Sequence, residues 1–378
     1  MFKTPCYIFN TDLVQTKIRQ IQRALPGIPL TYSIKANPFL VGAIAEDICH
    51  VEVCSPGELA ICKRIGINPK QIIYSGVMKE SWDIAEAIDY DVDILTAESP
   101  RHIEMIQEEA ARENRKVKVL VRLSSGNQFG MSKEDLFRVI EKRNNLENIE
   151  LIGIHYYSGT QKTKEKQIEK DIAQMSEVLT CCKEYYDFIP ELVEFGPGMA
   201  VDYFGDNCEL EDKKTLERLG PLIREFAQSF PVGIEMGRYI TADCGRYLTS
   251  VKDLKTTEGV TYAILDGGIH HLNYYGQVMA MKRPPITQEP VRSGKMQHYC
   301  LCGSLCTVAD VLVREIELKP LNIGDVLTFG RCGAYSVTEA PALFLSRKLP
   351  SVYLESGVSG MRLVRDCMGT DALNSKHL

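Results

Sequence analysis

Short apolar, β-branched runs alternate with amphipathic stretches over the first two thirds of the chain. An apolar run of four to eight residues bounded by turn formers has the pattern of a buried strand. Apolar positions spaced three and four apart have that of a helix packed on one face. The runs predict strands over residues 30–35, 51–55, 71–76, 92–96, 117–123, 149–155, 192–196 and 232–237, with a further strand at 2–9 and a first helix at 11–24. Residues 99–115 and 132–145 suit helices that open on Ser99 and Ser132, whose hydroxyls can accept the unpaired N–H groups of a first turn. Eight strands separated by helices over roughly 210 residues is the count of a (β/α)8 TIM barrel. An open doubly wound sheet shares the alternation. The number of strands and the polar residues at their ends favour the barrel.

Past residue 243 the helical alternation stops. Runs at 260–268, 296–304, 310–318, 325–335 and 352–356 read as strands joined by Gly/Pro-rich turns. The division expected is a barrel over 10–243 and a mainly β domain over 1–9 and 244–378, completed by the N-terminal strand. Residues 358–378 read as a polar tail with a short helix.

The chain has 378 residues, 44% of them hydrophobic, which supports two cores rather than one. A net charge of −6 shows no bias toward nucleic acid or an anionic membrane. No run reaches the length of a membrane span, and the N-terminal residues carry no apolar signal segment. Thirteen cysteines, an odd number at irregular spacing, fit reduced thiols in a cytoplasm rather than a disulfide framework. Cys302 and Cys306 lack the paired spacing of a zinc site, so no metal is expected.

In a barrel, chemistry gathers at the C-terminal ends of the strands. Here those ends carry Lys35, Ser55 and Glu58, Arg122, His155 with Ser158-Gly159, Gly196-Pro197-Gly198, and Glu235-Met236-Gly237-Arg238. Any one of these has an ordinary reading: a solvated rim lysine, a core histidine, a tight turn, a surface ion pair. Together they match one ligand. Lys35 can form an imine with an aldehyde. Gly196 and Gly198 let backbone N–H groups approach a phosphate, to which Ser158 and Arg238 add hydrogen bonds. His155 offers a ring for stacking, and Glu235 can keep a ring nitrogen protonated. An aldehyde, a phosphate and a pyridine nitrogen describe pyridoxal 5'-phosphate.

These motifs resemble those of the fold-type III pyridoxal-phosphate-dependent decarboxylases, which include ornithine and diaminopimelate decarboxylases and are built on an alanine-racemase-like barrel. The resemblance runs from Thr4-Pro5 to about Gly357. Tyr32-Ser33-Ile34-Lys35-Ala36-Asn37 is similar to the family's lysine motif, and His155-Tyr156-Tyr157-Ser158-Gly159 to its His-x-x-Ser-Gly. Gly196-Pro197-Gly198 stands where the family has a glycine triplet, and Glu235-Met236-Gly237-Arg238 resembles its Glu-Pro-Gly-Arg. The segment 303–310 resembles the motif with the proton-donating cysteine, here Cys306. Gly333-Ala334-Tyr335 resembles that whose tyrosine reaches the phosphate. The resemblance implies decarboxylation of an amino acid held on the cofactor, with Cys306 protonating Cα. It also implies a head-to-tail homodimer in which Cys306 serves the partner's site.

The departures are informative. Pro197 removes one N–H donor, and Met236 replaces a proline. Thr307 stands where the family places an acid that reads the distal amine of ornithine or diaminopimelate. A threonine offers no charge to an ammonium, so neither substrate is expected. Asp266-Gly267-Gly268-Ile269-His270-His271 resembles a natural-product branch of the family that includes a decarboxylase of glutamyl units on an acyl carrier protein. In that reading His270 and His271 contact substrate; a polar pair supporting a dimer interface is the alternative. Two other functions share the architecture: an amino-acid racemase, against which Glu235 argues, and a non-catalytic regulatory binding protein, against which the retained Lys35, His155, Glu235 and Cys306 argue.

Overall fold

The computed structural model describes residues 3–205 and 207–376. Eight parallel strands close into a barrel: β2 (Leu30–Ser33), β3 (His50–Val53), β4 (Ile72–Tyr74), β5 (Ile94–Ala97), β6 (Val117–Leu123), β7 (Ile149–Tyr157), β8 (Leu192–Gly196) and β9 (Val232–Met236). β9 returns to β2, with Thr31 opposite Glu235. The barrel follows from its sequence pattern, because strands covered on both faces must be apolar almost throughout. Ile73, Ile94, Leu120 and Ile152 come from four successive strands and form one buried cluster, with Leu192 packed against it.

The helices between strands start where the capping residues placed them. Ser55, Ser99 and Ser132 each accept a backbone N–H from the third residue on. These helices run Pro56–Ile65, Pro100–Arg112 and Lys133–Glu141, the last two shorter than their predicted ranges.

The remaining strands form a second sheet. β1 (Cys6–Asn10) lies between β10 (Gly245–Thr257), to which it is antiparallel, and β16 (Ser351–Ser356), to which it is parallel. β11 (Val260–Leu265), β12 (Ile286–Glu289), β13 (Gln297–Cys302), β14 (Val311–Leu318), β15 (Val326–Phe329) and β17 (Gly360–Arg365) complete it. Phe2, at the start of the expected first strand, and His377 and Leu378, at the end of the expected tail, lie outside the described residues.

Three expectations change. The polar tail contains β17, which returns on β16 through a turn with Gly360 at φ +70°. Its residues are exposed or half-buried, so it carries no apolar run to detect. The stretch 325–335 is strand only as far as Phe329. Beyond it, Gly333 packs so tightly that a Cβ there would lie 1.9 Å from the Thr241 carbonyl oxygen. β10, whose second half is polar and exposed, and the short β12 were not anticipated.

The chain forms two compact units. One takes in Lys17–Ala200 and Asp212–Tyr239 and contains the barrel. The other, rich in β structure, takes in the N-terminal segment to Thr16, Val201–Glu211 and the chain from Ile240 onward.

Candidate active site

The lysine that the sequence placed at a strand tip lies one step further on. β2 ends at Ser33, and Lys35 sits in a 3-10 turn, Ile34–Ala36, closed by the Asn37 N–H on the Ile34 carbonyl. Asn37 then caps the next turn, where Pro38 bars the helix from continuing backward. Gly237, just past β9, leaves room for this turn. A Cβ there would lie 2.9 Å from the Ala36 Cβ.

Lys35 donates to Glu52 Oε2 at 2.6 Å and stands 3.8 Å from Glu235 Oε1 and 3.5 Å from Cys54 Sγ. Glu52 comes from β3, and sequence reasoning missed it. The signal was present, since a glutamate within the apolar run Val51-Glu52-Val53 must find a partner. Glu58 and Ser55 serve a local purpose. Glu58 accepts the Cys54 N–H at 2.7 Å, and Ser55 caps the helix. Burial, followed by the charge of Glu52, pushes the Cys54 thiol well above its ordinary range.

Glu235, on β9, is buried. Its Oε1 accepts from the Ser33 hydroxyl at 2.8 Å, and its Oε2 lies 3.0 Å from His155 Nε2. Neither atom makes a regular hydrogen bond among the described residues, though at this distance the two still interact. Burial alone would raise the Glu235 carboxyl. Lys35, His155 and Ser33 outweigh it and hold the group well below the usual carboxylate range. A buried, ionised carboxylate suits a cationic ring N–H, which is what a protonated pyridine presents.

Around the loops after β7 and β8 the backbone comes very close. Gly198 has φ +61°, and a Cβ on it would lie 1.9 Å from the Gly159 carbonyl oxygen; one on Gly196 would lie 2.5 Å from the Tyr157 ring. Ser158 turns into this fold rather than out of it. It donates to Asp171 Oδ2 at 2.8 Å and accepts from Lys162, and Lys162 also pairs with Asp171. The neighbouring hydroxyl, Thr160, accepts from Arg238 Nε at 3.3 Å. Thr160 was missed because the His-x-x-Ser-Gly pattern draws the eye to Ser158, while Gly159-Thr160 follows two residues later. Arg122 pairs with Glu98 at 3.0 Å and lies over the Phe129 ring. Nearby, burial draws Lys79 down to about 8.

The other expected residues belong to the β-rich unit. Cys306 and Thr307 sit on a loop held from within by Asp310, which accepts from Ile269 N–H at 2.8 Å and Leu305 N–H at 2.7 Å. Gly268 and Gly303 leave space for that carboxylate, since a Cβ on either would lie within 2.6 Å of it. Cys306 is exposed, and Val308 beside it is 99% exposed. The Thr307 hydroxyl accepts from the Ala309 N–H at 3.3 Å within its own turn. Tyr335 adopts the left-handed conformation, φ +64°, directly after Gly333 and Ala334. His270 and His271 are both buried.

A closed parallel barrel with a lysine, a buried carboxylate and a histidine at its strand ends, together with a β-rich unit, defines a class of cofactor-dependent enzyme. The chain belongs to the pyridoxal-dependent decarboxylases: the model described as "Pyridoxal-dependent decarboxylase, pyridoxal binding domain" matches residues 11–242. It is a pyridoxal-phosphate-dependent amino-acid decarboxylase. Over 377 residues it is 28% identical to the L-glutamyl-(BtrI acyl-carrier protein) decarboxylase of Niallia circulans, covering 92% of this chain and 88% of that one. It is 26% identical to a 2-[(L-alanin-3-ylcarbamoyl)methyl]-2-hydroxybutanedioate decarboxylase of Staphylococcus aureus, covering 92% and 93%. It is 25% identical to the diaminopimelate decarboxylase of Aquifex aeolicus, covering 96% and 89%. The fold is that of the M. jannaschii diaminopimelate decarboxylase solved with L-lysine, with a TM-score of 0.88 at 22% identity over 100% of this chain and 92% of the other.

Proposed function

We propose that the protein removes the α-carboxylate of an amino-acid derivative whose side chain carries no free distal ammonium, with Lys35 holding the cofactor aldehyde and Cys306 returning a proton to Cα. The observation that carries this reading is the constellation of Lys35, in the turn after β2, with Glu52 on β3, Glu235 on β9 and His155 on β7. Bound pyridoxal phosphate supplies a ring that accepts the electron pair left by the departing carboxylate. The chain's own residues prepare for that. Glu52 and Glu235 fix the Lys35 amine from two sides. Glu235, held ionised, would receive the ring N–H of the bound cofactor. A racemase needs the opposite, an unprotonated ring, and a buried anion at this place works against it. Gly159, Gly196, Gly198 and Gly237 would let backbone approach the cofactor, with Thr160 and Arg238 as the partners proposed for its phosphate and Ser158 bracing the loop from behind. Tyr335 is assigned to the same phosphate.

Cys306 is exposed, as a group that acts in the site of a second copy would be, so we take the working form to be a cytoplasmic, head-to-tail homodimer. Thr307 argues against ornithine and diaminopimelate. Its hydroxyl is engaged in its own turn, and no charge is offered there. The relatives from Niallia circulans and Staphylococcus aureus act, by their names, on a carrier-linked glutamyl group and on a hydroxybutanedioate that bears an L-alanin-3-ylcarbamoyl group. A modified or carrier-linked amino acid of natural-product biosynthesis is therefore the preferred substrate; of the histidine pair, only His270 keeps ring nitrogens that could meet it, since both those of His271 are engaged. The test is CO2 release with mass detection of the amine product, using ornithine, lysine, arginine, meso-diaminopimelate and carrier-linked glutamate. Release from the carrier-linked substrate alone supports the reading. Release from a free diamino acid overturns the argument from Thr307.

A further inference from the structure

Within the β-rich unit there is a cavity of about 370 Å3 bounded by Lys3, Thr4 and Pro5, by His270 and His271, and by Ser346–Leu349. Its charge is unbalanced. Lys3, Arg347 and Lys348 face one carboxylate, Asp266. Asp266 is already saturated by hydrogen bonds from Thr4, Thr249 and Ser250, with Lys252 3.3 Å away.

The two histidines differ. His271 is fully used: its Nε2 lies 2.8 Å from the Lys348 carbonyl oxygen and its Nδ1 3.0 Å from the Tyr247 hydroxyl. A carbonyl only accepts, so Nε2 carries the proton and Nδ1 accepts from Tyr247. His271 is thereby fixed as a neutral ring. His270 packs on it, centroids 3.8 Å apart, and is 1% exposed, yet neither of its ring nitrogens has a hydrogen-bond partner among the described residues. Burial, then the Arg347 charge, draws His270 down to about 4, so it too is neutral at pH 7 and offers one N–H donor. A buried imidazole with no partner is unfavourable unless something else fills the space. Water would meet the hydrogen bonds but not the surplus of positive charge. A metal is not indicated, because no group of three His, Cys, Asp or Glu is placed to hold one among the described residues.

We infer that this cavity binds a small oxyanion, a carboxylate or a phosphate, received by the His270 N–H and by the side chains of Arg347 and Lys348. Arg347 also donates from Nη2 to the Ser304 carbonyl at 2.7 Å, at the head of the loop that carries Cys306 and Thr307. The bound anion is thus one hydrogen bond from that loop. The inference does not rest on the decarboxylase reading, and its test does not use activity.

The experiment is isothermal titration calorimetry of the cofactor-loaded protein in an oxyanion-free buffer, with inorganic phosphate and with glutarate as separate probes. Loading the cofactor keeps its own phosphate site filled. Saturable binding of about one probe per chain is expected, weakened about tenfold or more in Arg347→Gln, Lys348→Gln and His270→Phe, the loss that one charge-assisted hydrogen bond implies. Whether phosphate or glutarate binds tells which oxyanion the site takes. The Lys348 side chain is exposed and only its backbone carbonyl holds His271, so Lys348→Gln keeps the fold intact even if His270→Phe does not. Failure of both probes to saturate at millimolar concentration, or unchanged affinity in any folded variant of the three, overturns the inference.

Discussion

At the scale of residues, the site is a set of carboxylates kept apart in charge by their surroundings. Glu235 is held ionised by Lys35, His155 and Ser33. Glu194, on β8, is the reverse. Burial raises it from 4.5 to about 8, and Gly233, whose Cβ would lie 3.0 Å from its Oε2, makes room for it. The signs follow. The folded state keeps the Glu194 proton that the unfolded chain gives up, so stability falls as pH rises from about 4.5 toward 8. Glu194→Gln is expected to flatten that decline, worth on the order of 4–5 kcal/mol at most, in urea midpoints measured across the window. Glu235 contributes the other way. Its stabilisation is present above 4.5 and is lost as pH falls through its depressed folded value, so Glu235→Gln loses that acid-side slope. The same variant is expected to lower kcat roughly 100-fold, because it removes a charge aimed at the reacting system. The two hydroxyls beside Gly159 separate cleanly. Thr160→Ala is expected to weaken cofactor retention, measured by dialysis and absorbance, by about tenfold, the worth of one hydrogen bond to a charged group. Ser158→Ala is expected to lower stability by about 1–3 kcal/mol through the buried Lys162–Asp171 pair it supports, with cofactor retention nearly unchanged. Glu52 and Thr160 were invisible to motif reading for opposite reasons: one hides inside an apolar run, the other is overshadowed by a nearby serine.

At the scale of elements, the barrel was legible because its strands are mostly apolar and three of its helices start on serine caps. Each predicted barrel strand lies within a few residues of an observed one. The second sheet was less so. β10 and β17 carry polar, solvent-facing residues through much of their length, and β10 also pairs with β1, more than 200 residues away, where Cys6 faces Leu248. No local window contains that information. Glycines are the element-scale test. Gly153 lies opposite Leu192, whose carbonyl oxygen would be 1.8 Å from an added Cβ. Gly153→Ala is expected to separate β7 from β8 and cost the barrel its cooperative unfolding. Leu120→Ala, which only opens a cavity in the Ile73–Ile94–Ile152 cluster, is expected to cost about 2–5 kcal/mol and to leave the transition two-state in urea.

At the scale of the whole molecule, the proposed chemistry draws on both units. The barrel unit holds Lys35, Glu52, His155 and Glu235, and the β-rich unit holds Cys306, Thr307 and Tyr335, the residues proposed to act with them. If a second copy brings Cys306 to the site, mixing Lys35→Ala with Cys306→Ala is expected to restore up to about a quarter of wild-type activity, since random pairing of the two leaves one intact site in half of the dimers. Each variant alone stays inactive. All of this depends on a single attachment. Borohydride reduction of the cofactor-loaded protein, followed by proteolysis and mass mapping, locates the lysine that holds pyridoxal phosphate. The account predicts the label on the peptide containing Lys35, and none in Lys35→Ala. Label on a different lysine of the wild-type protein, or no stable label at all, would contradict it.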